Sequence, residues 1–155
     1  GDITAEFVVN CAGIIKRGAE HDPEVFADVI DINLTGTMRI CTAARAKLKE
    51  AKGSIVNTAS VLSFFGGGLV PGYAASKGGI AQLTKSLAIA YAPDGIRVNA
   101  VAPGTIATEL AAKAVLTSED AKARIMSRTP LQRLLASWHR NVMRPLLTRR
   151  LPEKD

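Results

Sequence analysis

From residue 6 to 115 short apolar runs alternate with longer helical stretches, the order that βαβ units produce. Phe7-Val8-Val9 reads as a short buried strand ending at Asn10, and Ser54-Ile55-Val56-Asn57-Thr58 and Arg97-Val98-Asn99-Ala100-Val101-Ala102 repeat its β-branched character. Between the first two, a helix is predicted from about Glu24 to Lys49, with Phe26, Val29, Ile30, Met38 and Ile40 supplying much of its apolar surface. Between the second and third, an Ala- and Leu-rich helix is predicted from Tyr73 to about Tyr91, closed by the turn sequence Pro93-Asp94-Gly95. Parallel strands joined by right-handed crossovers need cover on both faces, so these strands imply an α/β fold, a three-layer sandwich around a parallel sheet. Three strands are few for that architecture, and too little sequence precedes Phe7 for another βαβ unit. In a doubly wound sheet of order 3-2-1-4-5-6 this leaves an apolar edge seeking a partner, so a piece of the fold is expected to be missing.

Composition narrows the class. A chain of 155 residues with 47% hydrophobic and 22% charged residues fits one globular domain with a buried core and excludes a disordered chain. No apolar run approaches the roughly 20 residues of a membrane-spanning helix, and Gly1-Asp2-Ile3-Thr4 lacks the order of a secretory signal. A cytoplasmic protein without a membrane partner is expected. Cys11 and Cys41 form neither a CxxC pair nor a Cys/His cluster, so both read as small buried residues and no metal is expected. The net charge of +6 is uneven: residues 1–123 hold twelve Lys/Arg and twelve Asp/Glu, and residues 124–155 hold eight and two. The excess describes a tail, and nucleic acid is not an expected partner.

The candidate chemistry collects at one end of the predicted sheet. Tyr73-Ala74-Ala75-Ser76-Lys77 puts a phenol and an ammonium four residues apart on one helix face. A tyrosine ionises near pH 10, so a neighbouring cation that stabilises its phenolate would make it a usable base. Ser60 follows the second strand, where its hydroxyl can donate to a carbonyl or alkoxide oxygen. Asn33 interrupts the first helix between Ile32 and Leu34, where an amide often serves a kink or a polar contact. Taken singly, each has a plain structural explanation: an interfacial ring with a solvated Lys, a turn Ser, a helix defect. Together with Asn10-Cys11-Ala12-Gly13 after the first strand and Pro103-Gly104 after the third, they converge.

On these residues the sequence resembles the short-chain dehydrogenase/reductase family, over roughly residues 2 to 133. The resemblance implies a Rossmann-like three-layer parallel sheet that is partial: the first βαβ half, with the glycine-rich turn that seats a pyrophosphate, is missing. Thr35-Gly36 continues into Thr37-Met38-Arg39, and Gly66-Gly67-Gly68 lies in a loop rather than at a strand-to-helix turn. It divides the chain into 1–133, the C-terminal part of the Rossmann-like domain, and 134–155, a basic atypical tail. Asn33, Ser60, Tyr73 and Lys77 match the family's catalytic set in order and spacing. By resemblance Tyr73 is the general acid/base, Lys77 lowers its pKa and binds the nicotinamide ribose, Ser60 polarises the substrate oxygen, and Asn33 holds a water linking Lys77 to solvent. Asn10, Ala12, Gly13, Tyr73, Lys77, Pro103, Gly104, Ile106 and Thr108 are the implied cofactor-binding residues, for NAD or NADP. Ser60, Leu62, Gly67, Pro71 and Tyr73 are the implied substrate contacts, although ordinary loop packing explains Leu62, Gly67 and Pro71 equally well.

The implied reaction interconverts a small-molecule secondary alcohol and a ketone. Asn10 to Arg17, Ser63 to Gly67 and Val70 to Tyr73 further resemble members that oxidise sugar acids of the gluconate and deoxygluconate type. A homo-oligomer is implied through the helices from about Phe26 to Leu48 and from Tyr73 to Tyr91. The alternative is a non-catalytic remnant, an interaction module that keeps the scaffold without holding a dinucleotide. The change after Arg133 to Leu134-Leu135-Ala136-Ser137-Trp138-His139-Arg140 reads like a shifted reading frame, with a short basic amphipathic helix as the functional alternative.

Overall fold

The structure, a computed structural model, describes residues 6–106 and 119–127. The chain divides into two compact units, Gly1–Pro103 and Gly104–Asp155. In the first, β1 (Phe7–Asn10), β2 (Ser54–Thr58) and β3 (Arg97–Val101) form a parallel sheet in the order β1-β2-β3, with Val9 opposite Val56 and Val56 opposite Asn99. These are the three predicted strands, the last ending one residue early. As the central strand, β2 buries its first four residues, whereas β1 opens with a half-exposed Phe7.

The single predicted helix between β1 and β2 is broken. Helix α1 (Pro23–Ile30) begins where the Asp22 carboxylate accepts the N–H groups of Glu24 and Val25 at 2.9 and 3.1 Å, with Pro23 in the first turn. A π-helical turn, Asp31–Thr35, follows, and then α2 (Gly36–Ala51). The wide turn falls around Asn33, the residue whose poor helix propensity marked the spot. Helix α2 stops at Lys52, in the left-handed region (φ 48°), whose N–H returns to the carbonyls of Leu48 and Lys49.

Helix α3 (Pro71–Tyr91) starts two residues before its predicted Tyr73, because Pro71 fits a first helical turn that lacks N–H partners. The short 3₁₀ turns Val61–Ser63 and Ala92–Asp94 complete the connections around it. Both crossovers step the same way across the sheet, so right-handed connections put α2 and α3 on one face. Cys41 and Leu48 of α2 accordingly pack with Leu87 and Tyr91 of α3, Ile55, Ile96 and Val98 in one buried cluster. Cys11 departs from expectation: it is exposed, on the loop just past β1, and accepts a contact from Thr58 Oγ1 at 3.5 Å.

In the second unit, α4 (Glu119–Ser127) carries a Lys122–Glu119 ion pair at 3.7 Å. The tail 134–155 and both readings of it lie outside the described residues. Among the described residues no helix is long and apolar enough to cross a membrane.

Candidate active site

The polar side chains singled out in the sequence meet where the carboxyl ends of β1 and β2 face the first turns of α3. Lys77 lies one turn beyond Tyr73, is buried, and donates from Nζ to the main-chain carbonyl of Thr58 at 2.6 Å. The same ammonium stands 5.5 Å from the centre of the Tyr73 ring. Gly13, after β1, leaves room for it: a Cβ there would lie 3.2 Å from Asn33 Oδ1 and 3.7 Å from Lys77 Nζ.

Ser60 stands two residues past the end of β2 and caps the 3₁₀ turn. Its Oγ accepts from Leu62 N–H at 3.1 Å, and its own N–H donates to Ser63 Oγ at 3.1 Å. Ser63 Oγ in turn donates to the Lys77 carbonyl at 2.7 Å, which ties the Ser60 turn to α3. Ser60 also acts on the Tyr73 phenol, favouring its ionised form.

Electrostatics differ from the sequence expectation at one point. Burial holds the Tyr73 phenol above its ordinary value; the Ser60 hydrogen bond opposes this and the Glu20 carboxylate adds to it. The Lys77 ammonium donates to the Thr58 carbonyl and stands 5.5 Å from the centre of the ring. Burial pulls Lys77 itself below its ordinary value, with a smaller opposing influence from Cys11.

Asn33 is fully buried and uses both ends of its amide. Oδ1 accepts from Ile14 N–H at 2.8 Å, and Nδ2 donates to Ile14 O at 2.9 Å and Ser76 Oγ at 3.0 Å. Its main-chain carbonyl accepts from Thr37 Oγ1 at 2.7 Å. The side chain thereby fastens the loop after β1 to α3.

The other expected positions separate. Asn10 turns inward: Nδ2 donates to Asn57 Oδ1 at 2.8 Å and contacts Cys41 Sγ at 3.4 Å, so that donor group serves the core. Ala12 and Gly13 are exposed at the strand end. The carbonyl of Pro103 accepts from Val61 N–H at 3.0 Å, joining the loops after β3 and β2. Gly104 and Ile106 belong to the second unit, and Thr108 lies outside the described residues. Gly67 packs so closely that a Cβ would fall 2.7 Å from Val70 Cγ2 and 3.3 Å from Leu62 Cδ1, and Pro71 opens α3. Gly67 and Leu62 thus pack against each other.

Sequence reasoning missed four buried polar groups. Asn57 Nδ2 donates to Thr84 Oγ1 at 3.0 Å, extending the Asn10 contact into α3. Ser76 bridges Asn33 and the Tyr73 carbonyl, and Glu20 reaches the Tyr73 N–H. An amide inside the apolar run Ile55-Val56-Asn57 was the available signal for the first pair. Nothing local marked Glu20.

A family model described as enoyl-(acyl carrier protein) reductase matches residues 4–139. The chain is 43% identical over 131 residues to the 2-dehydro-3-deoxy-D-gluconate 5-dehydrogenase of Bacillus subtilis, covering 83% of this chain and 51% of that protein. Among solved structures, a protein of Agrobacterium tumefaciens described as a 2-deoxy-D-gluconate 3-dehydrogenase, with bound NADP, is 39% identical at a TM-score of 0.77, over 84% of this chain and 54% of that one. A second A. tumefaciens protein, described as a gluconate dehydrogenase, reaches a TM-score of 0.80 at 32% identity, over 86% of this chain and 53% of that one. The chain spans about half the length of the curated relatives it matches.

Proposed function

Because the chain belongs to the short-chain dehydrogenase/reductase family, we propose that it is the catalytic, nicotinamide-facing part of an NAD(P)-dependent oxidoreductase. The reaction is the interconversion of a secondary alcohol and a ketone, on a sugar acid of the 2-dehydro-3-deoxygluconate kind. The observation that carries the reading is the meeting of Tyr73, Ser60 and Lys77 at the carboxyl ends of parallel strands, where open α/β sheets collect ligands.

The residues present fit one half of a dinucleotide. Lys77 stands beside Gly13 and 5.5 Å from the centre of the Tyr73 ring, and this Lys/Tyr pair is the donor set a nicotinamide ribose would use. The pyrophosphate half has no glycine-rich strand-to-helix turn in this sequence. When bound, the nicotinamide supplies or accepts the hydride. Tyr73, held protonated by burial, gives its proton to the substrate oxygen in reduction and takes it back in oxidation. Ser60 donates its one O–H to that same oxygen. Lys77 is the cation that would face a ribose, and Asn33 holds the loop after β1 against α3.

A homo-oligomer belongs to the same reading, supported by exposed Ile40 on α2 and Ile89 on α3. The alternative reading is a non-catalytic remnant that serves as an interaction module. Titration of the chain with NADH and NADPH, followed by nucleotide fluorescence, separates the two. Saturable binding that weakens in Lys77→Met, with turnover of 2-dehydro-3-deoxygluconate that disappears in Tyr73→Phe, is expected for the oxidoreductase. Absence of any nucleotide response favours the remnant.

A further inference from the structure

Glu20 lies outside the chemistry assigned above, yet it is a carboxylate with 1% of its surface exposed. Among the described residues it makes no ion pair; the nearby Lys16 ammonium goes to Asp28 instead, at 3.3 Å. A buried carboxylate needs compensation, and here main-chain donors provide it. Oε1 accepts from Lys16 N–H at 2.7 Å and Oε2 accepts from Tyr73 N–H at 2.7 Å, across 53 residues of sequence.

The second bond meets a specific need of α3. Val70, at its N-cap, makes no side-chain capping bond, and Pro71 has no N–H, so Tyr73 carries an orphan donor in the first turn. A negative charge at that end of the helix is also favoured by the helix dipole. Gly72 makes the approach possible, since a Cβ there would lie 3.4 Å from Glu20 Oε2 and 3.2 Å from Phe26 Cδ2. The same segment grips the neighbouring loop: Gly18 N–H donates to Leu69 O at 2.8 Å, and His21 Nε2 lies 2.8 Å from Gly68 O.

We propose that Glu20 is a positioning residue that clamps the first turn of α3, and with it Tyr73, to the loop following β1. The proposal rests on reading Tyr73 as the proton-transfer group. The Glu20 carboxylate also disfavours ionisation of the phenol, and the Lys77 ammonium stands 5.5 Å from its ring centre.

Two measurements test it without nucleotide, so a failed nucleotide titration sinks the functional reading and leaves this one to be judged separately. In the unsubstituted chain, amide exchange at Tyr73 followed by NMR is expected to be slowed by about 100-fold or more, although first-turn amides usually exchange freely. Exchange at the rate of an unstructured amide overturns the proposal, whether or not any variant folds. In Glu20→Gln, which keeps the shape and removes the charge, Tyr73 exchange should accelerate about tenfold. Its phenol should also ionise at lower pH by ultraviolet difference absorbance, with Tyr73→Phe used to subtract Tyr91. A merely structural Glu20 would lower the unfolding midpoint and leave Tyr73 ionisation unmoved; that result in a folded Glu20→Gln overturns the proposal.

Discussion

The two halves of α3 solve burial in opposite ways. Toward its N-terminus the buried positions are Gly72, Ser76 and Lys77; Ile80 and Thr84 follow in the middle, and toward its C-terminus they are Leu87 and Tyr91. In the front half each buried polar side chain has a named partner: Ser76 joins Asn33 to the Tyr73 carbonyl, and Lys77 holds the Thr58 carbonyl. In the rear half apolar packing dominates, with Arg45 over the Tyr91 ring at 4.4 Å and the Asp94 carboxylate pairing with Arg45 and Lys49 at 2.7 and 2.8 Å. Between them Thr84 accepts from Asn57, where the polar pattern ends. One helix thus carries a rear that anchors and a front that is held ready for chemistry. Hydrogen bonds in the front are directional and specify geometry, whereas apolar contacts in the rear supply most of the free energy.

The largest effect that would test this division is expected at Leu87. Leu87→Ala should lower the unfolding free energy by about 2–5 kcal/mol in chemical denaturation. Tyr73 ionisation should stay where it is; a shift would mean the halves are coupled and break the comparison. Asn33→Ala, against the front, leaves the Ile14 N–H and carbonyl without that partner and Ser76 with the Tyr73 carbonyl alone, and should cost about 1–3 kcal/mol. Faster amide exchange at Ile14 would locate that loss.

Smaller again is Ser60→Ala, expected to cost about 0.5–1.5 kcal/mol or less. Because Ser60 opposes the upward shift of the Tyr73 phenol, the substitution should move its ionisation to higher pH, measured by ultraviolet absorbance. The shift has a consequence for stability. With its folded value above the ordinary 10.0, Tyr73 contributes stability that is present below 10.0 and lost as pH rises through the folded value. Tyr73→Phe should lack that alkaline loss in pH-dependent denaturation.

The smallest effect is expected at the far end of the rear half. Asp94 is held below its ordinary 3.8 by hydrogen bonds from Lys49 and Arg45. Its contribution is therefore present above 3.8 and lost as pH falls through the lower folded value. Surface ion pairs are weak, so Asp94→Asn should differ slightly from the unsubstituted chain near neutrality and converge with it in acid.

Much of the fold was legible because the signals are local. The β-branched runs at Phe7, Ser54 and Arg97 mark strands through properties of adjacent residues, and Pro93-Asp94-Gly95 marks the end of α3 in the same way. Asn33 was visible as a misfit in a helix, but not that the chain would widen into a π turn around it. For Asn10 a cofactor role was expected from the motif; that its side chain reaches Asn57, its partner across the strands, and Cys41 of α2 was not visible.

The sequence by itself determined the strands, the spacing of Tyr73 and Lys77, and the strand end on which Ser60 stands, since each depends on backbone periods a few residues long. Tertiary structure alone decided that Cys11 is exposed, that Glu20 reaches Tyr73 across 53 residues, and that the phenol is shifted upward rather than downward. Burial and electrostatics sum over neighbours that packing brings in from distant parts of the chain, and no local window contains them.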